Sequence, residues 1–266
     1  MIAVDFTHFV EELANRSGEA ILPFFRTAIG AVDKSRGGVF DPVTEADRAA
    51  EAVMRRMILD QFPHHGIIGE EFGNQAEDAE YCWVLDPIDG TKSFVSGLPV
   101  WGTLIGLCHN GRPTYGMMRQ PFTRESFYGD CETAHWRGPD AHGGETTRKL
   151  RTRACADLAS ATLMTTSPLL IPKGLRKAFT SVEKQVRLSR YGGDCYAYCM
   201  LAAGHVDLVI EAALQPYDIV ALIPIVQGAG GIVTTWDGGD PAQGGAIIAA
   251  GDRRAHEAAL AILAKT

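Results

Sequence analysis

The hydrophobic periodicity of the chain changes at Pro63, and this change constrains the fold more than any other feature of the sequence. Before it, apolar residues recur at helical spacing over residues 5–26 and 45–62, which predicts two amphipathic helices. Consecutive strand-like runs separated by turns follow, and they predict a largely antiparallel sheet flanked by the two helices. These runs lie at residues 67–68, 82–85, 103–108, 114–118 and 125–128.

The second half of the sequence, beyond the turn-rich residues 137–147, alternates strand-like and helix-like segments. Such alternation predicts an α/β sheet layered with helices. We therefore expect an N-terminal α+β subdomain with a mainly antiparallel sheet over residues 1–150 and a C-terminal α/β subdomain over residues 151–266. The expected strands are 163–166, 186–188, 206–210, 232–235 and 246–249, and the expected helices are 173–184, 194–204, 217–229 and 253–264.

Composition narrows the class of protein. The net charge of −7 disfavours nucleic acid as a partner, because sequence-independent binding needs a basic face. No apolar run approaches the roughly 20 residues of a membrane-spanning helix, so we expect no membrane partner. The N-terminal residues lack the pattern of a signal peptide. Six scattered cysteines without metal-binding spacing fit a reducing compartment, and we expect a cytoplasmic protein.

Two aspartates, Asp86 and Asp89, follow an apolar strand in the sequence DPIDGT. Pro87 makes the turn rigid, and Gly90 allows the backbone to approach a ligand closely. A helical turn that begins near Thr91 would offer free N–H groups to an anion such as phosphate. Two carboxylates would repel an anion bound in the same hexapeptide. The two features are compatible when cations lie between the carboxylates and the anion. The alternative is an ordinary Asp-Pro turn with a capping aspartate.

Three further acidic residues each have a structural and a functional interpretation. Glu70 follows a short apolar strand and could be a solvated strand end. Asp218 opens an apolar helix and could stabilise its N-terminus through the helix dipole. Asp47 lies three residues after Thr44, a good N-cap, and could belong to a capping box.

The order and spacing of GEE, WVLDPIDGTKSF and YDIVALIPIVQGAGG resemble the inositol monophosphatase family of Mg²⁺-dependent phosphatases. The resemblance extends from PVTEAD at residues 42–47 to the C-terminal helix. It implies a layered fold of the α/β (α+β) class. This is the αβαβα sandwich shared by inositol monophosphatase and fructose-bisphosphatase. It also implies phosphate monoester hydrolysis by direct attack of metal-activated water.

The resemblance assigns a role to each motif. Two or three Mg²⁺ ions per site are implied, with Mn²⁺ as a possible substitute, because oxygen ligands suit these metals. The implied metal ligands are Glu70, Asp86, Asp89, Asp218 and the backbone carbonyl of Ile88.

In the same family, the residues matching Asp47, Thr91 and Glu70 orient and activate the attacking water. The amides of Gly90 and Thr91 hold the phosphate. The metal-site motifs therefore belong to the N-terminal subdomain, apart from Asp218.

We expect the residues that determine substrate specificity to lie within residues 187–218 of the C-terminal subdomain. Typical family members have a glycine turn followed by small residues, whereas this chain has Asp194 at that place. Asp194 could be a helix cap or a contact for a cationic substrate group. Glu211 matches the family's substrate contact. Arg190 could reach the phosphate ester or pair with a surface acid. RYGGDCYAY and WVLDPIDGTKSFVSGLPVWGTLIGL resemble the histidinol-phosphate phosphatase branch.

We therefore expect a histidinol-phosphatase of histidine biosynthesis that acts on a small phosphorylated amino alcohol. An inositol-1-monophosphatase or a phosphatase of broad specificity is the alternative within the enzyme class. A non-catalytic alternative is a binding partner of the transcription machinery, as some family members are. The family also implies a homodimer and a flexible loop over residues 30–41, in which Lys34 and Asp41 are possible contributors to the metal site.

Overall fold

The computed structural model describes residues 6–27, 32–33, 42–43 and 45–264. Thr44, Lys34 and Asp41, which carried predictions above, lie outside the described residues. The α-helices of the described chain are α1 (Phe6–Ile21), α2 (Glu45–Gln61), α3 (Thr91–Val95), α4 (Arg176–Glu183), α5 (Asp194–Ala202), α6 (Pro216–Ile219), α7 (Leu222–Gly228) and α8 (Arg253–Leu263).

The described strands form three sheets, of which the smallest pairs β1 (Val32–Asp33) with β2 (Pro42–Val43). The first large sheet contains β3 (Gly66–Gly69), β4 (Gly73–Gln75), β5 (Tyr81–Asp89), β6 (Gly102–His109), β7 (Arg112–Gln120), β8 (Glu125–Gly129), β9 (Ala134–Pro139) and β10 (Glu145–Lys149). The second contains β11 (Thr162–Thr165), β12 (Leu188–Tyr191), β13 (Leu208–Leu214), β14 (Ile232–Thr235) and β15 (Gly245–Ala250).

The first large sheet has the order β10-β9-β8-β7-β6-β5-β3-β4 and is antiparallel except where β3 pairs with β5. Helices α1 and α2 cover one face, where Leu13 and Ile58 pack against Trp83, Ile105 and neighbouring apolar side chains. The predicted antiparallel sheet flanked by two helices is confirmed. The proline at position 23 falls where α1 gives way to a short 3₁₀ turn, so the helix ends earlier than its periodicity predicted.

Two features of this sheet differ from the sequence prediction. Strand β5 does not end at Leu85 but continues through the DPID sequence to Asp89. The segment 137–147 is not an extended turn, because β9 and β10 form a hairpin through most of it. The polar sequence ETTRK of β10 lacks the apolar alternation by which a strand is recognised.

The second large sheet has the order β12-β11-β13-β15-β14, with β11 parallel to both β12 and β13. Helices α4 and α8 pack on one face through side chains such as Phe179 and Leu263. Helices α5 and α7 fill the space between the two large sheets, where Leu201 and Ile225 lie in one core with Phe127 of β8 and Val209 of β13. The layers therefore follow the order αβαβα that the family resemblance implied.

Glycines in the first sheet allow the middle helix layer to approach closely. A Cβ atom at Gly116 would lie 1.9 Å from the carbonyl oxygen of Ala221, and one at Gly129 would lie 2.6 Å from that of Pro224. Larger residues at either position would push α7 away from the sheet and would disrupt the core that α7 shares with both large sheets. In the described part of the chain, no helix is both long enough and apolar enough to cross a membrane.

Candidate active site

The DPID sequence forms an irregular end of β5. Asp86 pairs with Leu104 of β6 and Asp89 with Gly102, so β5 has one more residue than β6 over this stretch, as in a β-bulge. The amide of Ile88 donates to Oδ1 of Asp86 over 3.0 Å. The buried hydroxyl of Thr103 donates to the carbonyl oxygen of Pro87 over 2.8 Å. These bonds fix the backbone that presents both aspartates.

The site gathers carboxylates from separate parts of the chain. Carboxylate oxygens of Asp86, Asp89 and Asp218 lie within 4.8 Å of one another. Asp218 comes from α6, where its Oδ2 accepts a hydrogen bond of 2.7 Å from the amide of Gln215 in a capping box. Asp218 therefore lies in the first turn of a helix, as its structural interpretation expected, and the same side chain also faces the two aspartates of β5.

Like charges crowd around Asp86. Its pKa is raised well above its usual range, first by burial and then by the charges of Glu70, Asp89, Asp218 and Asp47. Burial, Asp194 and Asp218 likewise raise the pKa of Asp89. No lysine or arginine of the described residues forms an ion pair with either aspartate. Carboxylates in such an arrangement fit divalent cations, and a donor set of oxygen atoms suits Mg²⁺ or Mn²⁺.

Glu70 and Asp47 reach the cluster from two different elements. Glu70 directly follows β3, and its amide donates to the carbonyl oxygen of Leu85 over 3.3 Å. Asp47 lies in the first turn of α2 and is buried, with 2% of its surface exposed. Because each contributes to the raised pKa of Asp86, all the acidic residues predicted as metal ligands or catalytic groups lie within electrostatic range of Asp86.

Gly90 connects β5 to α3 in a left-handed conformation, with φ 88° and ψ 40°. A glycine adopts this conformation without strain. Behind it, the hydroxyl of Thr91 donates to the carbonyl oxygen of Ile88 over 3.2 Å. The predicted phosphate seat and the predicted carbonyl ligand therefore lie in one tight turn beside the carboxylates.

Asp194 lies directly against this turn. A Cβ atom at Gly90 would approach the Asp194 side chain to 3.0 Å. Oδ2 of Asp194 accepts a hydrogen bond of 2.6 Å from the hydroxyl of Ser93 in α3. The next amide of α5, that of Cys195, donates to Oδ2 of Asp89 over 2.7 Å.

The alternative interpretation of Asp194 as a helix cap is wrong. Gly193 occupies the N-cap position of α5, without a capping side chain, and Asp194 is the first helical residue with the unusual φ of 43°. Burial raises the pKa of its carboxyl group, although hydrogen bonds from Ser93 and Thr166 and the charge of Lys92 act in the opposite direction. The conformation directs the carboxylate to α3 and the DPIDGT turn.

Glu211 on β13 is buried, with 4% of its surface exposed, and is held by two threonines. The hydroxyl of Thr165 donates to its Oε2 over 3.2 Å, and the amide of Thr166 donates to its Oε1 over 2.5 Å. Burial raises the pKa of Glu211 to about 7 in spite of these bonds.

Sequence reasoning missed Ser93, Thr165 and Thr166 as parts of the site. A signal for the two threonines was present, because Thr165 ends strand β11 and Thr166 follows it, and β11 is parallel to β13. Polar side chains at the carboxyl ends of neighbouring parallel strands meet at one edge of the sheet. No comparable pattern identified Ser93, whose partner is 101 residues away.

A cavity of about 360 Å³ opens beside Asp194. Its polar wall includes Ser93 and Thr166, and its apolar rim includes the exposed side chains of Leu98 and Leu169. Arg190 lies exposed on the edge strand β12, and no described hydrogen bond or ion pair joins it to Asp194 or Glu211. Among the described residues, every predicted site residue except Arg190 therefore lies in contact or electrostatic range of at least one other.

Comparison with known proteins agrees with this arrangement. The bifunctional phosphatase IMPL2 of Arabidopsis thaliana is 43% identical over 93% of this chain and 72% of its own length. A histidinol-phosphatase of Mycobacterium tuberculosis is 36% identical over 89% of this chain and 90% of its own. The structure of an inositol monophosphatase from Zymomonas mobilis, 38% identical, superposes with a TM-score of 0.84 over 98% of both chains. The sequence model of the inositol monophosphatase family matches residues 4–266, and the chain therefore belongs to that family.

Proposed function

We propose that this phosphatase hydrolyses L-histidinol phosphate to L-histidinol and phosphate, a step of histidine biosynthesis, with Mg²⁺ as its cofactor. The observation that carries the proposal is the position of Asp194, whose half-buried carboxylate lies against Gly90 and accepts a hydrogen bond from Ser93. A carboxylate beside a phosphate seat favours a substrate whose other end is cationic.

The metal ligands in this proposal are Glu70, Asp86, Asp89, Asp218 and the carbonyl of Ile88, which would hold two or three Mg²⁺ ions or Mn²⁺ in their place. Bound Mg²⁺ neutralises the charge of the phosphate dianion and increases the acidity of water. The mutual repulsion of the buried carboxylates supports this assignment, because a divalent cation would relieve it.

The remaining groups of the site position the reactants. The amides of Gly90 and Thr91 bind phosphate oxygens in the left-handed turn. Asp47 and Thr91, together with Glu70, orient the attacking water, and a carboxylate of this group accepts its proton. As the new P–O bond forms, the ester P–O bond breaks, and the proton taken from water passes to the departing oxygen, which leaves as the alcohol.

The two ends of the substrate match the two kinds of group in the site. L-Histidinol phosphate carries an ammonium group and an imidazole in addition to its phosphate. In our proposal the cationic end lies in the cavity beside Asp194, with Glu211 beneath it. A cation next to Glu211 would lower its pKa from about 7 and keep the carboxylate ionised at neutral pH.

The alternative within the enzyme class is an inositol-1-monophosphatase, which the structural similarity to the inositol monophosphatase from Zymomonas mobilis supports. The deciding experiment compares kcat/KM for L-histidinol phosphate with kcat/KM for myo-inositol 1-phosphate at saturating Mg²⁺. We expect a clear preference for L-histidinol phosphate. A preference for the inositol ester would refute the proposed substrate while leaving the phosphatase assignment intact.

Asp194→Asn tests the carboxylate itself. Asparagine tolerates a positive φ, so the backbone of α5 is retained while the charge is removed. We expect kcat/KM for L-histidinol phosphate to fall about tenfold, which corresponds to about 1.4 kcal/mol, and that for inositol 1-phosphate to stay nearly constant. Equal losses on both esters would show that Asp194 does not recognise a cation.

Arg190 has a weaker claim to a substrate contact, since it is exposed on an edge strand. Arg190→Ala should raise KM if the guanidinium reaches the ester, and it should leave both kinetic constants unchanged if Arg190 is a surface residue. Homodimerisation, a cytoplasmic location and a binding role in transcription stay predictions. Retained binding to the transcription machinery by an inactive Asp89→Asn variant would support the last of these.

A further inference from the structure

A second cavity lies on the side of α5 that faces β8, β9 and β10. Its volume is about 490 Å³, and none of its lining residues belongs to the proposed active site. Small-molecule sites have volumes of roughly 300–1,000 Å³. The cavity is therefore large enough for a ligand of the size of a mononucleotide.

One side of the cavity carries positive charge. Arg148 comes from β10 and Arg151 from the residues after it, and both are exposed. Neither forms an ion pair with a carboxylate of the described residues. Two guanidinium groups without carboxylate partners at one cavity favour an anionic ligand.

The cavity wall also contains aromatic side chains, with Trp136 and Tyr196 half-buried in it. The cavity also contains Glu125, but its carboxylate accepts hydrogen bonds from Nε1 of Trp136 over 3.0 Å and from the hydroxyl of Tyr196 over 2.7 Å. These bonds use the carboxylate to hold the two rings. The guanidinium of Arg148 lies 5.2 Å from the ring centroid of Trp136, so a flat surface and a positive charge are adjacent.

We propose that this cavity binds a nucleoside monophosphate, whose base stacks on Trp136 and whose phosphate pairs with Arg148 and Arg151. Aromatic side chains stack on nucleobases, and guanidinium groups bind phosphate through paired hydrogen bonds. Neither a neutral nucleoside nor a sugar phosphate would use both the aromatic and the basic side chains of the cavity.

Trp136 provides the readout. The other three tryptophans, at positions 83, 101 and 236, are buried, with at most 5% of their surface exposed. Stacking in the cavity therefore quenches the fluorescence of Trp136 selectively. The titration uses guanosine 5′-monophosphate in EDTA, because the acidic active site without cations repels a phosphate. Guanosine and ribose 5-phosphate are titrated in parallel.

We expect saturable quenching by guanosine 5′-monophosphate, at least about tenfold weaker binding of guanosine and ribose 5-phosphate, and no quenching in Trp136→Phe. The double variant Arg148→Gln/Arg151→Gln should also bind at least about tenfold more weakly. Arg56→Gln/Lys184→Gln removes the same charge from exposed positions outside the cavity and should bind like the wild type.

Three results would overturn the proposal. These are the absence of quenching in the wild type, equal binding of guanosine, and equal weakening in the two double variants. Since the titration needs neither Mg²⁺ nor turnover, each result is independent of whether the protein hydrolyses L-histidinol phosphate.

Discussion

Asp207 and Asp86 are equally buried, each with 2% of its surface exposed, but the two carboxylates face opposite kinds of neighbour. Asp207 accepts hydrogen bonds from Nε of Arg153 over 2.7 Å and from the amide of Thr162 over 2.7 Å. Asp86 accepts from the amide of Ile88 and is surrounded by further carboxylates.

In our proposal this difference distinguishes a structural carboxylate from a cation ligand. Burying a charge costs several kcal/mol unless a partner and hydrogen bonds compensate. At Asp207 the chain supplies the partner in Arg153. At Asp86 no lysine or arginine of the described residues forms an ion pair, and in our proposal a divalent cation provides the compensation. We expect the two sites to respond in opposite ways to the loss of a charge.

The largest expected effect is on catalysis at the acidic cluster. Asp86→Asn removes a metal ligand in our proposal and should lower Mg²⁺-dependent kcat/KM by at least about a thousandfold, or about 4 kcal/mol. In EDTA, the same variant should unfold at or above the melting temperature of the wild type, because it removes one of several mutually repelling charges.

Asp130→Asn is the matched control, since Asp130 lies in an exposed turn and is held by the backbone amides of Glu132 and Thr133. It should leave turnover unchanged. Full activity of Asp86→Asn, or its unfolding far below the wild type in EDTA, would show that Asp86 is structural like Asp207.

Glu211 is intermediate between Asp207 and Asp86, because it has hydrogen-bond donors but forms no ion pair with a cation of the described residues. Its pKa rises from the ordinary 4.5 to about 7 on folding, so the folded protein retains a proton that the unfolded chain releases. Stability therefore falls as the pH rises from about 4.5 to about 7, by about 3 kcal/mol in total.

Denaturant unfolding in EDTA at about pH 4 and about pH 8 measures this effect as the difference between wild type and Glu211→Gln. The wild type should lose about 3 kcal/mol relative to the variant over this range. Parallel pH dependences would mean that Glu211 is ionised in the folded protein throughout.

The smallest of these effects is expected at the compensated site. Asp207→Asn removes the partner of Arg153, but that side chain is 39% exposed and can turn to solvent. We therefore expect a loss of about 2 kcal/mol in the free energy of unfolding, with and without Mg²⁺. A variant as stable as the wild type would mean that the pair contributes nothing, and a dependence on Mg²⁺ would connect it to the acidic cluster.

Most of the fold follows from periodicity, because the large elements bury apolar faces. The two N-terminal helices and the core strands β5 to β8 have such faces, and they were predicted near their observed positions. Strands β4 and β10 were not predicted, since neither GNQ nor ETTRK has an apolar face and both take their structure from a neighbouring strand.

The acidic residues of the site were predictable because each stands at the end of an apolar element, in a pattern that resembles a known family. Their convergence was not predictable from spacing alone. It depends on the bulge between Asp86 and Asp89 and on the packing of α5 against α3. The left-handed φ of Asp194 is a tertiary effect, since the sequence there suggested an ordinary helix cap.

Release of phosphate from L-histidinol phosphate, followed while Mg²⁺ is added to the chelated protein, tests the central claim most directly. The claim is that the acidic cluster is a cation site on which hydrolysis depends. We predict no turnover in EDTA, a saturable increase with Mg²⁺, and no such increase for Asp86→Asn. Equal phosphate release in EDTA and in Mg²⁺ would contradict the account.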